Sequence, residues 1–283
     1  MQETAVIVAV PCCYSASGPG LAGPVVRGRP HMEITRAALL LAAGFGGGIA
    51  SSIAGGASLI TFPTLLGLGL PPLAANATNA VGLSLSNFMA AVADWRRRPS
   101  WGRSLSWLFV INFVGGAFGA LLMLETPAGL LILLVPALIG GATLLLAIGP
   151  WVQRHLPSGG DGGLHMARVA VPLFVSAIYG GYFGAGLGVI NLAILSIGGL
   201  TDFRSTNVLK NILITGVSLS SVWIYVWQGA LDWPATLLLM AGSIGGGYSG
   251  GYLIRVLPPQ AVRIGIISIG IVATVVYAGK YWF

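Results

Sequence analysis

The residues with most chemistry to offer lie in two short runs. Thr206-Asn207-Val208-Leu209-Lys210-Asn211 carries one of only two lysines in the chain, with Leu213, Ile214 and Val217 beyond it in an apolar stretch. An ammonium near the centre of a bilayer costs about 2.5–3.5 kcal/mol on insertion scales, so such a lysine is expected to face a cavity and a counter-charge. The only acid close by in sequence is Asp202, near the start of the same segment. An anionic ligand is therefore the natural partner of Lys210; snorkelling, or a structural pair with Asp202, is the competing reading. The second run, Asn76-Ala77-Thr78-Asn79, offers amide and hydroxyl donors. Lys210 is thus the candidate counter-charge, and Asn76, Thr78, Asn79, Asn207 and Asn211 are candidate hydrogen-bond donors to an anion.

Two glycine breaks are the other candidates: Gly55-Gly56-Ala57-Ser58, and Gly184-Ala185-Gly186-Leu187-Gly188. Glycine lets an apolar segment leave helix and restart. The restarting N-terminus exposes unpaired N–H groups and a partial positive charge, which suits an anion. Within a bilayer such irregular backbone survives only where it lines a cavity or is packed in protein. Gly55, Gly56, Ala57, Ser58, Gly186, Leu187 and Gly188 are the candidate ligand-binding residues here, against the plainer reading that the glycines permit close helix packing. Asn87, Asn112 and Asn191, with Ser51, Ser52, Ser84, Ser86, Ser218, Ser220 and Ser221, read as interhelical hydrogen-bonding points.

Catalytic chemistry finds little support. His31, His155 and His165 fall in tail or loop, and the apolar segments hold no histidine or carboxylate. That leaves no general base, no metal cluster and no nucleotide-binding loop, so neither an enzyme nor an ATP-driven pump is expected, and no cofactor. Cys12 and Cys13 are adjacent and have no metal spacing.

Elements that position these residues must be membrane helices. Of 283 residues only 7% are charged, against about 25% in soluble domains. The net charge of +7 reflects scarce acids rather than many bases, so no nucleic-acid partner is expected. From Ala37 to Ala93 no residue is charged. Glycines and the Pro71-Pro72 pair divide this run, and the spacing predicts segments over 34–53, 56–70, 74–93, 104–124, 127–149, 169–183, 187–200, 204–228, 234–254 and 258–280. Trp95, Trp101, Trp107, Trp151, Trp233 and Trp282 read as interface anchors.

The chain repeats itself. Gly115-Gly116 and Gly119 match Gly246-Gly247 and Gly250, Pro127 matches Pro258, Asn76 matches Asn207 and Gly55 matches Gly186, all 131 residues apart. Asn79 then aligns with Lys210. Two copies of five segments result, and an odd number inverts the second copy. The expected fold is an all-α polytopic membrane protein of about ten helical segments, some broken or re-entrant, in two inverted five-segment repeats. Residues 1–33 form a tail, 34–149 the first repeat, 150–167 a cytoplasmic linker and 168–283 the second repeat.

Loop charges agree with inversion. The loop with Arg96, Arg97, Arg98 and Arg103 is basic, while its counterpart from Gln228 to Trp233 holds only Asp232. With both termini periplasmic, Arg96, Arg97, Arg98, Arg103, Arg154, Arg168, Arg204, Arg255 and Arg263 fall inside, and Arg27, Arg29, Arg36 and Lys280 outside.

The chain resembles the TauE/SafE family of sulfite-exporter-like permeases. The likeness is carried by Gly55-Gly56-Ala57-Ser58-Leu59-Ile60-Thr61-Phe62-Pro63, Leu70-Pro71-Pro72 and Asn76 to Asn79. In the second half it is carried by Tyr179 to Gly186, Asn207 to Lys210, Gly229 to Trp233 and the Gly245–Gly251 cluster. It implies a multi-pass permease of the bacterial inner membrane for sulfite, an organosulfonate or a related sulfur anion. An anion channel and a non-transporting membrane scaffold are the alternatives, and a homodimer stays open. Asn79, where a small residue is expected, and Leu187, where a glycine is expected, depart from the family pattern.

Overall fold

The computed structural model describes residues 30–97, 102–155, 165–200, 202–253 and 258–282. Cys12, Cys13, Arg27, Arg29, Arg98, Trp101 and Arg255, and positions 156–164 of the expected linker, lie outside these. Among the described residues all regular structure is helical: α1 (Pro30–Ala54), α2 (Ser58–Gly67), α3 (Pro72–Gly82), α4 (Ser84–Ala93), α5 (Arg103–Glu125), α6 (Ala128–His155), α7 (Met166–Tyr182), α8 (Leu187–Ile197), α9 (Phe203–Trp227), α10 (Trp233–Leu253) and α11 (Pro259–Tyr281), with one 3-10 turn at Trp95–Arg97. Ile34–Ile53, Ser104–Glu125, Ala128–Gly149, Phe203–Trp227 and Gln260–Tyr281 are long and apolar enough to cross a bilayer. The chain is an all-α polytopic membrane protein.

Local sequence explains the boundaries. Pro72 and Pro259 stand in the first turns of α3 and α11, where a missing N–H costs nothing. The Asp202 carboxylate caps α9 by accepting the Ser205 N–H at 2.9 Å. The short helices α2 and α8 end alike: Gly69 and Gly199 take positive φ, and the N–H groups of Leu70 and Leu200 return to the carbonyls of Leu65 and Leu195 at 3.2 Å. One boundary differs from expectation. The segment expected as a single helix over 74–93 breaks at Leu83, whereas its counterpart α9 runs unbroken. A valine and a glycine precede Leu83, a sequence weak in helix propensity. Helix α6 also continues to His155, past the expected segment end at 149.

Small residues set the packing. A Cβ on Gly44 or Gly48 of α1 would overlap the α10 backbone, and one on Gly115 or Gly119 of α5 would overlap that of α7. Backbones so close gain dispersion contact where no hydrophobic effect operates between helices. The pairings exchange between copies. α1 packs on α10 as α7 packs on α5, α1 on α2 as α7 on α8, and α11 on α2 as α6 on α8. Glycine contacts run in the same order along α1 and α10, and along α5 and α7, so each pair is parallel.

Two sets of counterpart helices, α3–α4 with α9 and α6 with α11, run oppositely. Ala77 and Val81 of α3 share a cluster with Val222 and Tyr225 near the end of α9, while Ala91 of α4 clusters with Val208 and Ile212 near its start. Gly140 of α6 faces Thr274 of α11, and Gly270 of α11 faces Thr143 of α6. These directions bring Arg96, Arg168, Arg204 and Arg263 to one face of the bundle.

Candidate functional site

The two glycine breaks meet. Gly55, at φ +73°, and Gly188 sit backbone against backbone: a Cβ on either would overlap the other. No side chain other than hydrogen fits both the left-handed conformation and that approach. Gly186 also takes positive φ, at +78°, and starts α8. Neither α2 nor α8 has a side-chain cap; most first-turn N–H groups donate to preceding backbone carbonyls, Leu59 to Gly56 at 3.1 Å and Leu187 to Gly184 at 3.2 Å, and the helix dipole leaves a partial positive charge at both starts.

Beside this crossing lies a cavity of about 60 Å³. A single water needs about 10–15 Å³ on the same measure, so the space suits a small ion of a few heavy atoms. Its wall comprises the ends of α1 (Ser51, Gly55) and α7 (Gly180, Phe183, Gly184), the starts of α2 (Ala57, Ser58) and α8 (Leu187, Gly188), and parts of α3–α4 (Asn79, Ala80, Leu83, Asn87) and α9 (Ile214, Val217, Ser218, Ser221). The polar groups are hydroxyls and amides, and no lining residue is acidic or basic. Ala57 and Gly188, Leu83 and Ile214, and Asn87 and Ser218 are pairs in the 131-residue register, so the cavity straddles the junction of the copies.

Hydrogen bonds hold the wall. Asn79 donates from Nδ2 to Ser58 Oγ at 2.9 Å, and its Oδ1 accepts a short bond from the Thr61 hydroxyl. The Ser51 hydroxyl donates to Asn87 Oδ1 at 2.9 Å, tying α1 to α4.

Of the residues expected from sequence, Gly55, Ala57, Ser58, Asn79, Leu187 and Gly188 line the cavity. The others stand behind it. Gly56 packs toward Ile266 and Leu146, and Gly186 toward Ala142. Thr78 accepts from the Asp232 N–H at 3.1 Å. Asn76 and Asn207 engage their amide nitrogens on helix ends of the opposite copy: Asn76 donates to the Tyr182 carbonyl at 2.9 Å, and Asn207 to the Ser52 carbonyl at 3.2 Å. Lys210 is completely buried and donates from Nζ to the Ser51 carbonyl at 3.3 Å, with no carboxylate partner among the described residues. Its stem passes Gly188. It neither snorkels nor pairs with Asp202; its amino group sits on the C-terminal end of α1, where the helix dipole is negative. Asn211 is equally buried, and neither atom of its amide has a partner.

Ser51, Asn87, Ser218 and Ser221 belong to the wall, although their sequence context suggested only interhelical bonding. The register between Asn87 and Ser218 was the available signal.

The profile of the sulfite exporter TauE/SafE family matches residues 40–277. The chain belongs to this family. It is 29% identical over 254 residues to a probable membrane transporter protein of Haemophilus influenzae, covering 87% of this chain and 96% of that one. It is 26% identical over 258 residues to the probable membrane transporter protein ORF9 of a Sinorhizobium species, covering 87% and 95%. It is 25% identical over 226 residues to the probable membrane transporter protein YfcA of Escherichia coli K12, covering 80% and 83%. Membership makes this chain a membrane transporter rather than an enzyme.

Proposed function

We propose that this TauE/SafE protein is a secondary transporter of a small sulfur oxyanion, sulfite or an organosulfonate, working by alternating access of two inverted repeats in a bacterial inner membrane. The observation that carries the reading is the cavity where two broken helices meet: hydroxyl and amide groups and two uncapped helix starts on the wall, a buried lysine behind it, and no carboxylate among its lining residues. Such a site favours an anion through its two helix starts and offers a cation no carboxylate among its lining residues.

Each part has a role. The starts of α2 and α8, at Ala57-Ser58 and Leu187-Gly188, face the anion oxygens. Asn79, Ser51 and Asn87 orient it through hydrogen bonds. Lys210 cancels the negative end of α1, which would otherwise repel it. Asn76 and Asn207 do the same for the ends of α7 and α1 with neutral donors. The antiparallel packing of α3–α4 on α9 and of α6 on α11 supports inversion. The basic face formed by Arg96, Arg168, Arg204 and Arg263 supports a cytoplasmic assignment for that face, with both termini periplasmic.

The test is radiolabelled sulfite uptake into proteoliposomes of the purified full chain, with a thermal-shift panel of sulfite, sulfate, thiosulfate, taurine and sulfoacetate. Saturable uptake and stabilisation by sulfite are expected. Flux linear in the gradient makes the protein a channel. Neither flux nor stabilisation with any of the five anions overturns the assignment.

A further inference from the structure

The cavity is lopsided. Ser58, Asn79 and Ala80 line it, but their counterparts 131 residues later, Val189, Lys210 and Asn211, do not. Those three are buried, with Lys210 and Asn211 fully excluded from solvent. Counterpart helices run antiparallel, so the two triplets lie toward opposite ends of the junction. Asn211 is the telling residue: a buried amide with no partner for its nitrogen or its oxygen costs several kcal/mol if it has no other state to serve. Ala80, in the same register, has nothing to satisfy and already faces the cavity.

We infer that the site has a second face, built from Lys210, Asn211 and Val189, which is closed here and opens to the opposite side of the membrane when the two copies exchange conformations. The inference rests on the alternating-access reading above. In a pair of inverted copies, the outward and inward states differ by which copy adopts which of two arrangements. The wall made now by copy one around Ser58, Asn79 and Ala80 is then made by copy two around Val189, Lys210 and Asn211. The ligand chemistry changes with it. On the present face the anion meets a neutral amide and hydroxyls. On the second face it meets an ammonium and a free amide, with both donor and acceptor unengaged. Lys210 is thus a direct ligand in one state and a distant counter-charge in the other, and the two faces hold the same anion unequally.

The test places single cysteines at Ala80 and Asn211, and at Ser58 and Val189 as a second pair, in the full chain with Cys12 and Cys13 changed to serine. A membrane-impermeant maleimide is applied to right-side-out and to inverted vesicles while sulfoacetate is supplied, since sulfite would itself add to the maleimide and consume it. Ala80→Cys and Ser58→Cys are expected to label from one side, and Asn211→Cys and Val189→Cys from the other, each at least tenfold faster than from the wrong side. Val189→Cys is a mild change in volume and carries the test should Asn211→Cys fold poorly. Labelling of both members of a pair from the same side overturns the inference. So does the absence of labelling at 189 and 211 in protein that still carries sulfite. Sulfite flux is read in separate aliquots of the same vesicles without the maleimide: its loss in the cysteine-free parent, with labelling still on opposite sides, removes the substrate and leaves the second face standing.

Discussion

Asn79 and Lys210 hold the same place in the two copies and do opposite work. Asn79 stays within its own copy, donating to Ser58 at 2.9 Å and accepting from Thr61, so it binds α3 to the start of α2. Lys210 crosses to the other copy and rests its ammonium on the Ser51 carbonyl at 3.3 Å, at the end of α1. The counterpart end, that of α7, is closed by neutral donors: Asn76 on the Tyr182 carbonyl and the Tyr225 hydroxyl on the Gly181 carbonyl, each at 2.9 Å. A nearly symmetric scaffold thus carries one asymmetric charge. The two broken helices that cross here present two positive starts and two negative ends, whose fields oppose one another. In its protonated form, Lys210 on one negative end leaves the junction net positive. Under the proposed function, the geometry comes from the repeat, and the preference for anions from the place where the repeat fails.

The strongest way to break this comparison is at the glycines, which are equivalent in register but not in surroundings. A methyl group on Gly55 would strike the Gly188 backbone, while one on Gly186 would lie 3.4 Å from the Ala142 carbonyl oxygen. Gly55→Ala is expected to abolish recovery of folded protein in detergent. Gly186→Ala is expected to lower stability by about 1–2 kcal/mol, the cost of a left-handed non-glycine residue, with folding retained. Size-exclusion profiles and thermal melts of the two variants decide it, and equal behaviour would mean that the crossing is looser than described.

Charge sharpens the comparison next. Asn79→Asp keeps the shape of the wall and adds a negative charge beside the anion. At about 5 Å and an effective dielectric constant near 20 the repulsion is about 3 kcal/mol, a loss of a hundredfold or more in sulfite affinity. Lys210→Gln keeps a donor for the Ser51 carbonyl and removes a charge farther from the cavity, so a loss of about tenfold is expected. The stability of Lys210→Gln is expected to equal or exceed that of the parent, because burying an unpaired ammonium is itself costly. Titration by thermal shift reads both quantities. A Lys210→Gln protein that is less stable and binds sulfite as before would make the lysine a structural prop.

How much of this was legible beforehand follows the same division. Whatever depends on the repeat could be read: the fold class, the equivalence of the two glycine breaks, and the place of Lys210 within an apolar run. What depends on three-dimensional direction could not. Asn76 and Asn207 look like ligand donors in sequence because an amide in an apolar helix must find a partner, but the chain does not say whether that partner is an anion or a helix end. The break at Leu83 was equally hidden, since Val81-Gly82-Leu83 is only weakly unfavourable to helix. The cavity itself arises where the crossing leaves space, and Ser218 and Ser221 have no local feature to distinguish them from Ser220; Ser220 and Ser221 even donate to the same Val217 carbonyl of their own helix.

Asn87 and Ser218 give the gentlest version of the comparison, because they are paired in register and both line the cavity. Asn87 accepts from the Ser51 hydroxyl, so its carbonyl oxygen is engaged and its nitrogen is left to face the cavity. Asn87→Ala removes that donor and releases Ser51 from α4, and a net hydrogen bond to a charged group is worth about 1.5–3 kcal/mol. Sulfite affinity is therefore expected to fall about tenfold or somewhat more. Ser218 is a shorter residue on the opposite wall, and its hydroxyl has water as a ready substitute in a space of this size. Ser218→Ala is expected to change affinity by no more than about twofold, a small fraction of the Asn87→Ala loss. Equal losses would mean that the anion sits on the axis between the copies; a larger loss at Ser218 would move it to the α9 wall, against the hydrogen bonding that holds Asn79, Ser58, Ser51 and Asn87 on the other side.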